Sequence, residues 1–179
     1  MSKRNSRQAK ALRRAERTII PPEARQRVIF AAIRDAIEIV ASNEDNKGNC
    51  VLYAHVGAAV LTKVTGHAYD VTGGWQHGRN IRAGKDRTSW HAWCTARGTN
   101  IFADFTRYET MTIARRLGLV STHFTNEADY FWRPLTGWTV ENYTPSGDVT
   151  AAVKAMGEDM AQDVEKATRI ALENLGESA

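Results

Sequence analysis

The segment CVLYAHVGAAVLTKV, residues 50–64, restricts the possible folds more than any other part of the chain. Its apolar residues are not confined to one stripe, so a helix formed by this segment has no face that is suited to water. Other elements must therefore cover such a helix on all sides, and the chain of 179 residues is long enough to provide that cover. We predict a buried helix over residues 50–64 that ends before Gly66.

The segments on either side of this helix predict a mixture of helices and strands. In chain order they are an amphipathic helix opened by Pro21-Pro22 over Glu23 to about Ala41, a polar loop over 42–49, a β-rich segment over 67–75, a polar loop over 76–88, a β-hairpin over 89–106, a short helix over 107–120, a short strand near Trp138-Thr139-Val140, and an amphipathic helix from Asp148 to about Leu175. Helices followed by strands and then by a helix indicate an α+β fold.

The first 28 residues carry most of the positive charge. They contain nine Lys and Arg against two Glu, whereas the remaining residues contain 15 basic and 18 acidic side chains. The overall charge of +4 therefore belongs to an N-terminal arm and not to the rest of the chain. Residues 1–28 suit nucleic acid or an acidic partner, and they equally suit a solvated tail that confers solubility. The arm has no aromatic residue that would stack on bases.

The composition excludes several other classes of protein. No apolar run approaches the roughly 20 residues that a membrane helix needs, so we expect no membrane partner. The basic N-terminus is not followed by a hydrophobic segment, so we expect no secretory signal. Two cysteines cannot form a disulfide framework and favour a reduced, cytoplasmic setting. Because CxxC, HxxxH and phosphate-loop patterns are missing from the sequence, we expect no metal and no other cofactor.

Cys50 stands at the predicted N-terminus of the buried helix, and Asn49 before it suits the capping position. The unpaired N–H groups and the positive end of the helix dipole favour a thiolate at such a position. The same N–H groups can stabilise a developing oxyanion. Cys50 therefore suits a nucleophile, and it also suits a small buried residue, because cysteine is among the most buried residue types.

The stretch SWHAWCTARGTNIFADFT, residues 89–106, carries one histidine and one aspartate at matching distances from its turn. With a two-residue turn at Arg97-Gly98, His91 and Asp104 are directly opposed, with Cβ atoms about 4.5–5.5 Å apart. With a four-residue loop over 97–100, they are diagonal neighbours on the same face of the hairpin. In either register the aspartate can fix the tautomer of the imidazole and support its charged form. Such a pair serves catalysis, or it only fixes the hairpin register.

Cys50 at a helix start, His91 within WHAW and Asp104 within ADFT resemble the transglutaminase-like branch of the papain-fold proteins. In that family a Cys heads the core helix, a His lies on the next core strand, often followed by Ala-Trp, and an Asp lies on the strand after it. The resemblance covers roughly residues 45–110 and implies a papain-like core, in which the Cys-headed helix packs on a small antiparallel sheet. It makes Cys50 the nucleophile, His91 the general base and acid, and Asp104 the orienting residue.

We divide the chain into a basic arm, residues 1–20, a papain-like catalytic domain, residues 21–147, and a C-terminal amphipathic helix, residues 148–179. The family includes peptidases, amidases and acyltransferases. We therefore expect a cysteine peptidase or amidase that acts on a peptide or other acyl substrate through a Cys50 acyl-thioester, with acyl transfer to an amine as a second route. The alternative is a non-catalytic binding protein that uses its basic arm on nucleic acid or an acidic partner.

Two sets of residues leave alternatives open. The backbone N–H of Cys50 is the expected first oxyanion donor, and the candidates for the second are Asn46, Asn49 and Trp75. The five tryptophans, at positions 75, 90, 93, 132 and 138, suit either the packing of a core or the lining of a cleft.

Overall fold

The structure, a computed structural model, describes residues 19–41, 50–80, 85–99, 101–105, 123–126 and 138–177. Within these ranges the helices are α1 (Glu23–Val40), α2 (Cys50–Thr65), α3 (Gly147–Lys154) and α4 (Glu158–Asn174). The strands are β1 (Tyr69–Asn80), β2 (Lys85–Ala96), β3 (Ile101–Asp104), β4 (His123–Asn126) and β5 (Trp138–Pro145). The fold is α+β, as the order of the sequence patterns predicted.

The strands form one antiparallel sheet in the order β4-β3-β2-β1-β5. Its centre is a long hairpin in which β1 and β2 pair over the full length of both strands. The polar loop predicted over residues 76–88 is therefore wrong, because most of these residues continue the two strands. The ladder pairs their backbone groups, and polar side chains such as His77 and Thr88 bond to each other across it at 3.1 Å.

Helix α2 is buried, as its apolar sequence predicted. One side packs against β1, β2 and β3, and other sides pack against α1 and α4. Its buried residues are Leu52, Tyr53, Ala54, Val56, Gly57, Ala58, Val60 and Leu61. The helix ends at Thr65, directly before Gly66, whose φ of 68° is a conformation that glycine adopts without steric cost.

Gly57 allows α2 to approach the sheet closely. A Cβ atom at this position would lie 2.6 Å from the ring of Phe105 and 2.9 Å from the Sγ atom of Cys94. These distances are shorter than van der Waals contact, so a larger residue would force α2 and the sheet apart. The contact sets the height of α2 above β2 and β3, and with it the position of Cys50 at the start of the helix.

Helix α1 confirms the prediction made from its apolar spacing. It begins directly after Pro21-Pro22 and ends one residue before the expected Ala41. The side chains of Ile29, Ile33 and Ile37, four positions apart, are completely buried and form the face that packs into the core.

The single helix predicted from Asp148 to about Leu175 is wrong, because the structure forms α3 and α4 there. Helix α3 ends at Lys154 and α4 begins at Glu158, directly after Gly157 in an extended conformation with ψ of 162°. The apolar spacing of the sequence continues across the break, so periodicity alone does not reveal it.

Of the remaining predictions, one strand is confirmed, and two segments lie outside the residues that the structure describes. The strand near Trp138-Thr139-Val140 is confirmed and continues to Pro145 as β5. Residues 1–18 of the basic arm and the helix predicted over 107–120 lie outside the described residues. Of the helices that the structure describes, none combines the length and the apolar character needed to cross a membrane.

We predict that Gly57→Ala lowers the free energy of unfolding by about 1–3 kcal/mol, because the new methyl group would overlap the ring of Phe105. The higher helix propensity of alanine offsets only part of this cost. The matched control is Gly147→Ala, since a Cβ atom at Gly147 would meet no other atom within 4 Å. Urea unfolding of both variants measures the effect, and equal stability of the two would contradict the close contact.

Candidate active site

Cys50 is the first residue of α2, in the position that the sequence predicted. The residue is partly buried and packs against the hydrophobic core. The start of a helix carries the positive end of the helix dipole, which favours a negative charge on a thiol at this position. Asn49, the predicted cap, lies outside the described residues.

The hairpin of β2 and β3 brings His91 and Asp104 together through the longer of the two predicted loops. Cys94 pairs with Ala103, which leaves the four residues 97–100 between the paired strands. His91 and Asp104 are therefore diagonal neighbours on one face of the sheet. The two-residue turn is wrong, and the four-residue alternative is confirmed.

The imidazole of His91 is hydrogen-bonded to the carboxylate of Asp104, with 2.9 Å between Nε2 and Oδ2. The side chain of Asp104 is only 1% exposed and that of His91 is 12% exposed. A buried carboxylate is costly unless its oxygens are paired, so this bond offsets the cost of burying Asp104. Because Nε2 is hydrogen-bonded to Asp104, Nδ1 is the ring nitrogen that can bond to another group.

The charge state of His91 is set by competing influences. Burial is the largest single influence and lowers the pKa of His91. The charge and hydrogen bond of Asp104, followed by the hydrogen bond and charge of Cys50, outweigh burial and raise this pKa from 6.5 to about 9. At neutral pH the ring is therefore an imidazolium whose charge is supported by the carboxylate of Asp104 and by Cys50. The structure thus brings all three predicted site residues together.

Tyr143 of β5 is a fourth member of this cluster that the sequence patterns did not identify. Its hydroxyl group donates a hydrogen bond to Oδ2 of Asp104, with 2.5 Å between the oxygen atoms. The same carboxylate oxygen accepts the bond from His91. Tyr143 is 5% exposed, so this bond is shielded from water. No local pattern marks Tyr143, because it meets Asp104 only through strand pairing between distant parts of the chain.

Aromatic rings surround the imidazole on this face of the sheet. The ring of His91 lies 6.3 Å from that of Trp93 and 5.8 Å from that of Tyr143, measured between centroids. Trp93, Tyr143 and Phe102 form a buried cluster of their own, apart from the core around α2. Rings packed on both sides restrict the orientation of the imidazole and reduce its contact with water.

Cys94 lies in an environment opposite to that of Cys50. It is fully buried on the side of the sheet that faces α2, and its thiol donates a hydrogen bond to the carbonyl of Ala54 at 3.1 Å. Burial, followed by the charge of Asp104, raises the pKa of the Cys94 thiol well above its usual range. This thiol stays protonated and inaccessible, so Cys94 is a core residue and not a second nucleophile.

The candidates for the second oxyanion donor stay open. Asn46 and Asn49 lie outside the described residues. Trp75 lies on β1 and is 43% exposed, so it is not the core residue that one interpretation of the sequence expected. Among the tryptophans whose side chains the structure describes, Trp75, Trp90 and Trp93, the buried one is Trp93.

Comparison with known proteins supports the fold and goes no further. No protein-family model matches the chain, and a search of curated proteins finds no match. The chain is similar to the crystal structure of a genomics target, with a TM-score of 0.50 over 86% of this chain and 79% of the other. The two sequences are 16% identical, so this likeness shows a shared fold and nothing about function.

We predict that the stability of the protein depends on pH through His91. The folded pKa of about 9 lies above the ordinary 6.5, so the stabilisation is complete below about pH 6.5 and is lost as the pH rises through 9. Its size is on the order of 3 kcal/mol. In Asp104→Asn two influences on the pKa of His91 remain: burial, which lowers it, and the weaker effect of Cys50, which raises it. The difference in unfolding free energy between wild type and variant should therefore shrink from pH 6.5 to above pH 9. Urea unfolding across this range, with a thiol reductant present, measures it; a constant difference would contradict the assigned ion pair.

We also predict that Tyr143→Phe moves the acid limb of the rate–pH profile for Cys50 alkylation to higher pH. Without the tyrosine hydroxyl, Oδ2 of Asp104 loses the hydrogen bond that Tyr143 donates, so the carboxylate takes up a proton more readily and supports the imidazolium less. The matched control is Tyr69→Phe, which removes a buried hydroxyl bonded to the carbonyl of Ile19 at 2.7 Å. Both variants should lose about 1 kcal/mol of stability, but only Tyr143→Phe should shift the profile. Overlapping profiles would remove Tyr143 from the site.

Proposed function

We propose that the protein is a papain-like thiol hydrolase, a cysteine peptidase or amidase, in which Cys50 attacks an amide or ester carbonyl. One observation carries this proposal: the imidazole that is hydrogen-bonded to the buried carboxylate of Asp104 also interacts with the thiol of Cys50, which contributes to its raised pKa. A pair that only fixed the hairpin register would need His91 and Asp104 but no thiol. The thiol, the imidazole and the carboxylate together form the arrangement that activates a nucleophile.

The residues have separate roles in the proposed reaction. The sulfur of Cys50 attacks the carbonyl carbon as a thiolate, while the imidazolium of His91 holds the proton. His91 then gives this proton to the leaving amine or alcohol, the bond to the leaving group breaks, and an acyl-thioester remains on Cys50. The neutral imidazole takes a proton from water, the resulting hydroxide attacks the thioester, and His91 remains protonated beside the released thiolate. Asp104 stays ionised and holds the ring, and Tyr143 holds Asp104.

The geometry also supplies part of the stabilisation of the oxyanion. The carbonyl oxygen of a substrate bound at the sulfur becomes negatively charged as the thiolate attacks. The backbone N–H of Cys50 and the positive end of the α2 dipole are directed to this region. Helix α2 is held by its buried side chains, so these donors need no rearrangement during the reaction. Hydrolysis is the simpler outcome, and acyl transfer to an amine would follow the same first half-reaction.

We predict that p-nitrophenyl acetate, a generic acyl donor, acetylates Cys50 and leaves Cys94 unmodified. Intact-mass spectrometry after a short exposure should detect one acetyl group on the wild type and on Cys94→Ala, and none on Cys50→Ala. The thiol of Cys94 is buried and hydrogen-bonded, so it should not react in the folded protein. Circular dichroism should find Cys50→Ala folded, because the side chain is partly buried at a helix end and the substitution leaves only a small change in packing.

Hydrolysis of the acyl-thioester, the second half-reaction, distinguishes an enzyme from a scaffold that does not catalyse a reaction. In Asp104→Asn the imidazole takes the wrong tautomer, so turnover should fall by roughly 10⁴-fold while the hairpin persists. Acetylation of Cys50 that never turns over, or equally slow modification of both cysteines, would contradict the hydrolase. The result would then favour a papain-like scaffold without catalysis, or a binding protein that relies on its basic arm.

A further inference from the structure

Two large aromatic side chains are exposed on the sheet close to the candidate site. Trp75 of β1 lies directly opposite Trp90 of β2, so both rings project from the same face of the sheet. They are 43% and 53% exposed. Isolated exposed apolar residues are ordinary, but two adjacent exposed tryptophans form an apolar patch of the kind that marks a binding surface.

The two tryptophans line an open groove with a volume of about 410 Å³. The remaining apolar lining comes from Val51 of α2 and from Val149, Ala152 and Val153 of α3. Asp148, in the first turn of α3, is the only ionisable residue among the groove's lining residues that the structure describes. A groove of this size holds one aromatic or branched apolar group together with a short part of its backbone.

Helix α3 is held firmly against the sheet, so the groove exists before any ligand arrives. The hydroxyl of Thr150 bonds to both the N–H and the carbonyl of Gly73, each at 2.9 Å. At Gly73 a Cβ atom would lie 2.7 Å from the backbone of Val149, so the helix rests directly on β1. Nε2 of His55 lies 2.9 Å from the carbonyl of Val153 and joins α3 to α2. A preformed groove loses little entropy when a ligand binds.

Two residues that line the groove are chain neighbours of site residues. Val51, which lines the groove, directly follows Cys50, and Trp90 directly precedes His91. Because successive residues of a strand point to opposite faces, Trp90 lies on the side of β2 that carries α2 and α3, and His91 lies on the side that carries Tyr143. A carbonyl group bound at the sulfur would therefore have the proton-transfer group on one side of β2 and the apolar groove on the other.

We propose that this groove binds an apolar side chain of the acyl substrate, next to the carbonyl that Cys50 attacks, and that Asp148 disfavours a negative charge there. The inference rests on the proposed function and adds the class of substrate to it. The position of the groove favours this occupant, since its lining residues Val51 and Trp90 directly adjoin the site residues Cys50 and His91 in the chain. The carboxylate of Asp148 favours a cationic group over an anionic group in the part of the substrate that lies beside it.

The test uses chloroacetamides that alkylate Cys50, so that the leaving group and the chemistry stay constant while the tail changes. Chloroacetamide itself is the reference, and N-benzyl chloroacetamide adds one aromatic ring. We expect the benzyl probe to alkylate Cys50 of the wild type about tenfold faster than the reference. Trp75→Ala and Trp90→Ala should each lose most of this preference, measured as the ratio of the benzyl rate to the reference rate of the same variant. Ile39→Ala, which removes another exposed apolar side chain (61% exposed) on α1, should keep both rates.

The charge preference is tested with the same benzyl probe carrying either an aminomethyl group or a carboxylate on its ring. The wild type should react several-fold faster with the cationic probe than with the anionic one, and Asp148→Asn should reduce this ratio. The matched control is Asp159→Asn, because Asp159 occupies the first turn of α4 as Asp148 does in α3, but lies outside the groove. An equal ratio in the wild type and Asp148→Asn would overturn the role of Asp148.

The outcomes separate this inference from the function on which it rests. A reference probe that does not select Cys50 over Cys94 would overturn both the thiol enzyme and the groove as its substrate site. Selective reference alkylation with no benzyl preference, or with a preference that survives both tryptophan substitutions, would overturn the groove alone. Tryptophan variants that keep the preference but dissociate a dimer would show instead that the patch joins two copies of the chain.

Discussion

The burial of α2 on several sides is the constraint on which the rest of the structure depends. A helix without a polar face is stable only when a sheet and further helices remove it from water, and here the sheet, α1 and α4 do so. Gly57 then brings the helix close enough to the sheet that its height above β2 and β3 is fixed. The position of Cys50 is a consequence of this packing, since the residue begins the helix that the core holds.

The buried carboxylate of Asp104 imposes a second constraint on the other face of the sheet. Removing this charge from water is costly, and a buried ion pair is seldom more stable than an apolar core of the same volume. His91 and Tyr143 offset the cost by donating two hydrogen bonds to a single oxygen atom. Stability alone does not require this arrangement, whereas a proposed proton-transfer group requires a fixed ring with a supported positive charge.

The sequence predicted features that depend on local pattern and missed those that depend on distant contacts. Helix α1 follows from apolar spacing, α2 follows from an apolar run that ends before Gly66, and strand alternation puts His91 and Asp104 on one face. The loop length was left open because Arg97-Gly98 suits more than one turn, and the structure places Gly98 at φ 74° within the longer loop. Tyr143 was missed because only the folded sheet brings β5 near Asp104. The break at Gly157 was missed because the apolar spacing continues through it.

Strand β2 joins the two proposed activities of the site through the alternation of its side chains. His91 and Trp93 lie on the face of Tyr143, where the proposed proton transfer takes place, while Trp90 and Ala92 face the helices. In the proposed enzyme, a substitution at Trp90 changes which acyl group is bound, and a substitution on the other face changes how the imidazole is charged. The two properties can therefore vary independently, although the residues that determine them are neighbours in the chain. In the proposed enzyme, Cys50 uses both faces of β2, which is consistent with a nucleophile that lies on the helix and not on the strand.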